Sequence, residues 1–135
     1  TYYKLDRRED EDWHPNQCLY LPGEGGVELR VLKVDDDKAT LALMDDHSHS
    51  NHSVWGIAAR NREQNFALNV LMDPDVDFVT LLGTAGTGKT LLALAAGLAQ
   101  VMDQQRYREI IMTRATVSVG EDIGFLPGTE EEKMT

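Results

Sequence analysis

The stretch that decides the fold is Gly83-Thr84-Ala85-Gly86-Thr87-Gly88-Lys89-Thr90. It fits the phosphate-binding loop pattern G-x-x-x-x-G-K-[ST] at every defined position. The apolar run 78–82 precedes the loop and predicts a buried strand, and the Ala/Leu-rich stretch 91–101 follows it and predicts a helix. A strand, a glycine-rich loop and a helix in this order form the arrangement that binds nucleotide phosphates.

Each residue type in the loop has a physical role. Glycines permit positive φ, so successive N–H groups can form an anion-binding nest, to which the start of the following helix adds its own N–H groups. We predict that the whole loop 83–90 contacts phosphates, with Lys89 and Thr90 as catalytic candidates. Lys89 supplies charge to the β- and γ-phosphates, and the Thr90 hydroxyl binds Mg²⁺. The alternative is a glycine-rich turn with a solvated Lys89. The pattern alone does not distinguish ATP from GTP, or hydrolysis from phosphoryl transfer or simple binding.

Length and charge bound the class of protein. The 135 residues fit one ordinary domain, and the absence of an initial methionine together with a capping box at 129–132 predicts a fragment of a larger protein. The net charge is −10, yet residues 1–82 contribute −8 of it and residues 83–128 are neutral. The acidity therefore lies outside the nucleotide-binding part, where a local cationic groove for nucleic acid stays compatible with the sequence.

The single cysteine, Cys18, excludes an intrachain disulfide and fits a reducing compartment, so we predict a cytoplasmic protein. No apolar stretch is long enough to cross a bilayer, and we expect no membrane partner.

Patterning predicts three regions: a linker or tail over 1–18, a small β-rich connector over 19–54, and the start of a nucleotide-binding domain over 55–135. In the connector, strands 27–34 and 39–44 with a turn at 35–38 predict a hairpin. Beyond it, residues 60–72 predict a helix capped by Asn61, with Phe66 and Val70 or Ala67 and Leu71 as its apolar face. A second strand is predicted at 110–113. The resulting β-α-β unit indicates an α/β fold with a parallel sheet. Gly97, inside a helix, indicates close packing at that point.

The loop 45–52 contains Asp45, Asp46, His47, His49 and His52. These side chains are of the kind that bind metals, but their spacing matches no metal-site template, and the abundance of Ser and Asn favours a solvated loop.

Beyond the loop, residues 54–135 resemble the PhoH family of P-loop ATPases, in particular its longer bacterial members with an N-terminal PIN-type nuclease domain. The resemblance is carried by Trp55-Gly56-Ile57, Arg60-Asn61-Arg62-Glu63-Gln64, the loop with the Leu91–Gly97 stretch, Thr113-Arg114, and the segment 120–134. Two positions depart from the family pattern. Ala59 precedes Arg60-Asn61 where a proline is usual, and Ala115 follows Arg114 where the family has Arg-Pro.

The resemblance implies a partial RecA-like core, ATP with Mg²⁺ as cofactors, and RNA as the partner of an intact protein in which ATP hydrolysis drives RNA binding or unwinding. It also implies a homo-oligomer, in the form of a hexameric ring. The later acidic Mg²⁺ motif and the arginine finger are absent here, so the sequence does not decide whether this chain alone is an enzyme. Alternatives are a nucleotide-sensing module that controls an attached nuclease, and a small-molecule phosphotransferase.

Outside the loop, the resemblance assigns a role to Gln64, and side-chain chemistry indicates further candidates. Gln64 corresponds to a glutamine that contacts adenine, since a carboxamide offers one donor and one acceptor to N6 and N7. Arg60 or Arg62 either stacks on the adenine ring or is solvated. Arg114, at the end of the second predicted strand, either binds a nucleic-acid phosphate or pairs with Glu121 or Asp122. Tyr107 and Phe125 either stack on bases or belong to the core.

Overall fold

Four strands form an antiparallel sheet in the N-terminal part of the chain. The computed structural model describes residues 1–7, 12–23 and 25–116. The strands are β1 (Tyr2–Asp6), β2 (Cys18–Tyr20), β3 (Glu28–Val34) and β4 (Lys38–Leu43), in the spatial order β1-β4-β3-β2. Two helices follow, so the described chain is an α/β structure whose sheet is antiparallel.

The predicted hairpin is confirmed as β3 and β4. Val31 pairs with Leu41, both side chains are fully buried, and the pairing shifts by one residue between Val31 and Lys33. Because side chains alternate along a strand, Glu28 and Arg30 lie on the face opposite to Val31. That polar face is the one that contacts the first helix.

Strand β1 lies inside the segment 1–18, for which the sequence predicted a linker or tail. Tyr2–Asp6 pairs with β4 along its whole length, and Cys18 begins β2. The strand was missed because charged residues of both signs dominate this segment, whereas the pairing depends on the edge that β4 offers.

Helix α1 spans Arg62–Leu71 and helix α2 spans Lys89–Leu98, which continues as a π-helical turn over Ala99–Asp103. Both predicted helices are confirmed. The Asn61 side chain accepts a hydrogen bond from the Gln64 backbone N–H, as expected of an N-cap. Neither helix, nor any other in the described ranges, has the length and hydropathy needed to cross a membrane.

The helices share one apolar core. Leu68 of α1 is fully buried against Leu92 and Ala95 of α2 and Ala99 of the π-helical turn that follows. Of the two apolar faces predicted for α1, the one with Ala67 and Leu71 packs against this cluster. The contact fixes the start of α2, and with it the glycine loop, relative to α1.

The two predicted parallel strands are not formed. Residues 78–82 and 110–113 have no regular secondary structure, and no β-bridge joins them in the part of the chain that is described. Phe78, Leu82 and Ile111 are at least four-fifths exposed. A strand needs hydrogen-bonding neighbours, and buried parallel strands need cover on both faces, so an apolar run without either stays irregular. The prediction of tight packing at Gly97 is confirmed, because a Cβ there would lie 3.2 Å from Ile110 Cδ1.

Candidate phosphate-binding site

The glycine loop turns sharply into α2. Gly86 and Gly88 have φ values of 82° and 86°, a region that strains residues with a Cβ, and Gly88 is the N-cap of α2. A Cβ on Gly83 would lie 3.2 Å from Thr87 Oγ1 and 3.9 Å from Lys89 Nζ. The three glycines of the loop therefore each serve either the backbone conformation or a close approach.

Lys89 folds back over the loop. Its Nζ donates to the carbonyl oxygens of Gly83 and Thr84, at 2.7 Å each, and lies 3.4 Å from Thr87 Oγ1. The Thr87 hydroxyl donates to the Thr84 carbonyl at 2.9 Å. These contacts place the ammonium against the backbone of the loop. At this position its three N–H donors can contact an anion bound at the loop. Thr90 lies exposed in the first turn of α2.

The loop suits a polyphosphate with Mg²⁺. Gly86 and Gly88 have the positive φ that allows successive backbone N–H groups to form an anion-binding nest. The first turn of α2 leaves its N–H groups unpaired within the helix, and nothing lies within 4 Å of a Cβ placed on Gly86. The Thr90 hydroxyl is a ligand of the kind that Mg²⁺ accepts. In the described residues no group of three His, Cys, Asp or Glu side chains is placed to hold a metal ion.

Gln64 reaches the loop from α1. Its Nε2 donates to the Thr87 carbonyl at 3.1 Å, and its Oε1 accepts the Arg60 backbone N–H at 2.8 Å. The structure therefore brings Gln64 and the loop together across 23 positions of sequence. A cavity of about 320 Å³, lined by residues that include Gln64, Ala67, Leu81, Lys89 and Leu92, lies between them.

The three arginines considered as ligand contacts differ in their surroundings. The Arg62 guanidinium lies 3.5 Å from the centroid of the Tyr20 ring, and its Nε is 4.0 Å from Glu28 Oε1. Arg62 thus faces the sheet. Arg60 and Arg114 are exposed, as is Tyr107. The predicted partners of Arg114, Glu121 and Asp122, and also Phe125 lie outside the described residues.

Two asparagines that sequence reasoning missed join the loop 45–52, here called the histidine loop, to α1. Asn65, which is buried, accepts the His47 backbone N–H at 2.9 Å and donates to the Asp45 carbonyl at 3.1 Å and to Glu28 Oε2 at 2.6 Å. Asn69 exchanges two hydrogen bonds of 2.9 Å with the Asp45 backbone. The spacing of Asn61, Asn65 and Asn69 by four residues places them on one helix face and was the available signal.

The histidine loop itself is largely exposed. Hydrogen bonds from Ser48 hold the pKa of Asp46 below its ordinary value, with smaller contributions from His49 and His52, while the slight burial opposes them. His49 Nε2 lies 3.5 Å from Asp46 Oδ2.

A partly buried ion pair joins the sheet to the end of α1. Arg30 of β3 donates to the Asp73 carboxylate, and both side chains are less than one-fifth exposed. Burial raises the pKa of Asp73, but hydrogen bonds from the Asp75 N–H and Arg30, and the charges of Arg30 and Arg106, together lower it below the ordinary value. Arg106 also donates to the Met72 carbonyl and to the buried Gln100.

Comparison with known proteins identifies a family. Residues 56–135 match the family described as PhoH-like protein. The chain is 43% identical over 124 residues to Protein PhoH2 of Bacillus subtilis, an alignment that covers 90% of this chain and 27% of that protein. It is 45% identical over 111 residues to Protein PhoH2 of Mycolicibacterium smegmatis, covering 82% of this chain and 24% of the relative.

A shorter match, 51% identical over 53 residues, is to the PhoH-like protein of Mycobacterium tuberculosis, and covers 39% of this chain and 15% of that one. The chain thus spans about a quarter of the length of the PhoH2 relatives. No solved structure matches it. With the family match extending over more than half of the residues, and including the whole glycine loop, this chain belongs to the PhoH-like protein family.

Proposed function

We propose that this chain binds ATP with Mg²⁺ and forms the phosphate-binding part of a PhoH-family ATPase. The observation that carries the proposal is the conformation of the loop 83–90. Two of its glycines have positive φ, and the ammonium of Lys89 lies against its backbone. In this proposal the loop N–H groups and Lys89 bind the phosphates, and Thr90 ligates Mg²⁺. Bound Mg²⁺ would supply charge neutralisation at the β- and γ-phosphates.

We propose that the parallel sheet of a RecA-like core forms in the intact protein. The irregular runs 78–82 and 110–113 flank the loop and α2 in chain order, and their exposed apolar side chains suit strands that are covered on both faces in an intact protein. We further propose that the intact protein is cytoplasmic, assembles as a homo-oligomeric ring, and uses ATP hydrolysis to act on RNA. Arg114 is the proposed phosphate contact to RNA.

The alternative function, a nucleotide sensor that controls an attached nuclease, is favoured by one observation. Polar contacts tie the N-terminal sheet to α1, and Gln64 ties α1 to the loop. Through these contacts, a change in the loop on nucleotide binding would reach the sheet by way of α1. Stimulation of ATP turnover by RNA in the intact protein supports the ATPase that acts on RNA, whereas unstimulated turnover with a nucleotide-dependent nuclease supports the sensor.

The proposal predicts that Lys89→Ala weakens Mg·ATP binding. Calorimetry on the wild-type chain should give weak but measurable binding with little hydrolysis, and loss of the ammonium should weaken it by at least about tenfold, or about 1.4 kcal/mol. Lys38→Ala is the matched control, because Lys38 is exposed on β4, away from the loop. Equal affinity in wild type and Lys89→Ala would refute the proposed phosphate site.

A further inference from the structure

The carboxamide of Gln64 is occupied at both ends by backbone. Its oxygen accepts the Arg60 N–H at 2.8 Å and its nitrogen donates to the Thr87 carbonyl at 3.1 Å. One end is thus tied to the chain just before α1 and the other to the phosphate loop. The Gln64 backbone N–H is itself bonded to the Asn61 side chain, which fixes the residue in the first turn of α1.

Thr87, the residue that Gln64 holds, is central to the loop. Its hydroxyl donates to the Thr84 carbonyl at 2.9 Å and lies 3.4 Å from Lys89 Nζ. A shift of the Thr87 peptide would therefore move both the nest formed by the loop and the position of the ammonium.

A second observation shows how close the contact is. A Cβ on Gly88 would lie 3.3 Å from Gln64 Nε2, tighter than most real Cβ contacts. Gly88 is therefore required twice, by its φ of 86° and by the approach of this side chain. Gly86 has a similar φ but open space around it.

We propose that Gln64 is a positioning residue of the phosphate loop, which holds the Thr87–Gly88 turn in the shape that binds phosphate whatever base the nucleotide carries. The inference rests on the proposed function and differs from a role in recognising adenine. If the amide positions the loop, its loss weakens every polyphosphate equally. If it recognises the base, its loss spares a ligand that has none.

The test is to measure binding of Mg·ATP, Mg·GTP and magnesium tripolyphosphate to the wild type and to Gln64→Met. Methionine keeps the length and helix propensity of the side chain but makes neither hydrogen bond. We expect affinity for ATP and tripolyphosphate to fall by the same factor, about tenfold, as is typical for the loss of one or two hydrogen bonds. Gln104→Met, the same change at an exposed position just after the π-helical turn that follows α2, should leave all three affinities unchanged.

Two outcomes overturn the inference. Weaker binding of ATP with unchanged binding of tripolyphosphate assigns Gln64 to the base, and unchanged binding of both removes it from the site. Lys89→Ala, run alongside, separates these outcomes from failure of the proposed function, in which the wild type binds neither ligand or binds both independently of Lys89.

A ligand-free measurement completes the test. In Gln64→Met the Arg60 amide loses its acceptor, so it should exchange with solvent faster, and the backbone amide resonances of Thr87 and Gly88 should shift. Resonances of the loop that stay unchanged while the rest of the spectrum is native would show that the amide does not hold the turn.

Discussion

At the scale of single residues, the loop shows how one amino-acid type meets two demands. Gly83 allows Thr87 and Lys89 to approach, Gly86 adopts a positive φ in open space, and Gly88 combines positive φ with the approach of Gln64. The phosphate-binding motif requires glycine at two of these positions, Gly83 and Gly88, and Gly86 lies between them. The motif did not reveal which of them is constrained by a neighbour, because the neighbour lies on another helix.

Gly86→Ala and Gly88→Ala separate the two demands. Each puts a Cβ at positive φ, which costs roughly 1–2 kcal/mol in the free energy of unfolding. Gly88→Ala additionally displaces the Gln64 amide, so it should be the more destabilising of the pair. Urea denaturation of both variants measures the difference, and equal losses would show that the contact with Gln64 carries no energy.

At the scale of elements, local pattern was sufficient where an element satisfies its own backbone or pairs with its sequence neighbour. Helices α1 and α2 have intrahelical hydrogen bonds and a capping Asn61, and β3 and β4 pair across a short turn. Pattern alone failed for 78–82 and 110–113, since a parallel strand depends on distant neighbours. For β1 the pattern predicted no strand although one forms, because its partner β4 lies over thirty residues away.

Gly97→Ala should stabilise α2. Alanine gains roughly 1 kcal/mol over glycine inside a helix. The new methyl group would lie 3.2 Å from Ile110 Cδ1, but this is the tip of a side chain that is 40% exposed in an irregular segment, so it can move. We expect the melting temperature to rise by a few degrees, on the scale of about 1 kcal/mol in a domain of this size.

Ala93→Gly provides the reference for that variant, because Ala93 is an exposed position of the same helix. Its loss of stability measures the intrinsic difference between the two residues in α2. A destabilised Gly97→Ala would mean that Ile110 is held rigidly against the helix.

At the scale of the whole molecule, α1 is the element on which the other parts converge. Glu28 and the histidine loop are both bonded to Asn65 of this helix, and Arg30 of the sheet pairs with Asp73 just after it. Gln64, in the first turn of α1, reaches the phosphate loop. These links are polar, whereas the packing of α1 on α2 is apolar.

Asp73→Asn should destabilise the docking of the sheet on α1. The change removes the negative charge that faces Arg30 while keeping an oxygen for the Asp75 N–H, and the pair is largely shielded from water. We expect a loss of about 1–3 kcal/mol in the free energy of unfolding at neutral pH. Asp35→Asn, in the exposed Lys33–Asp35 pair of 3.1 Å, should cost less than about 1 kcal/mol. Similar losses in the two variants would show that the Arg30 contact is no stronger than a surface pair.

The same pair predicts an acid dependence. The folded pKa of Asp73 is lower than its ordinary value of 3.8, so the ionised form stabilises the fold above that value, and this stability is lost as the pH falls through the folded pKa. Between about pH 5 and pH 2 the wild type should therefore lose more stability than Asp73→Asn. Parallel stability curves for the two proteins in urea at each pH would contradict the assignment to Asp73.

The amino-acid sequence by itself determined the family, the phosphate loop, both helices and the hairpin, because each depends on a local motif or on hydrogen bonds between near neighbours. Only the tertiary structure decided that Gln64 holds the loop, that Arg62 faces Tyr20, and that Arg30 joins Asp73. These contacts link residues 23 to 43 positions apart. They arise from how helices and sheet dock on one another, which no local pattern specifies.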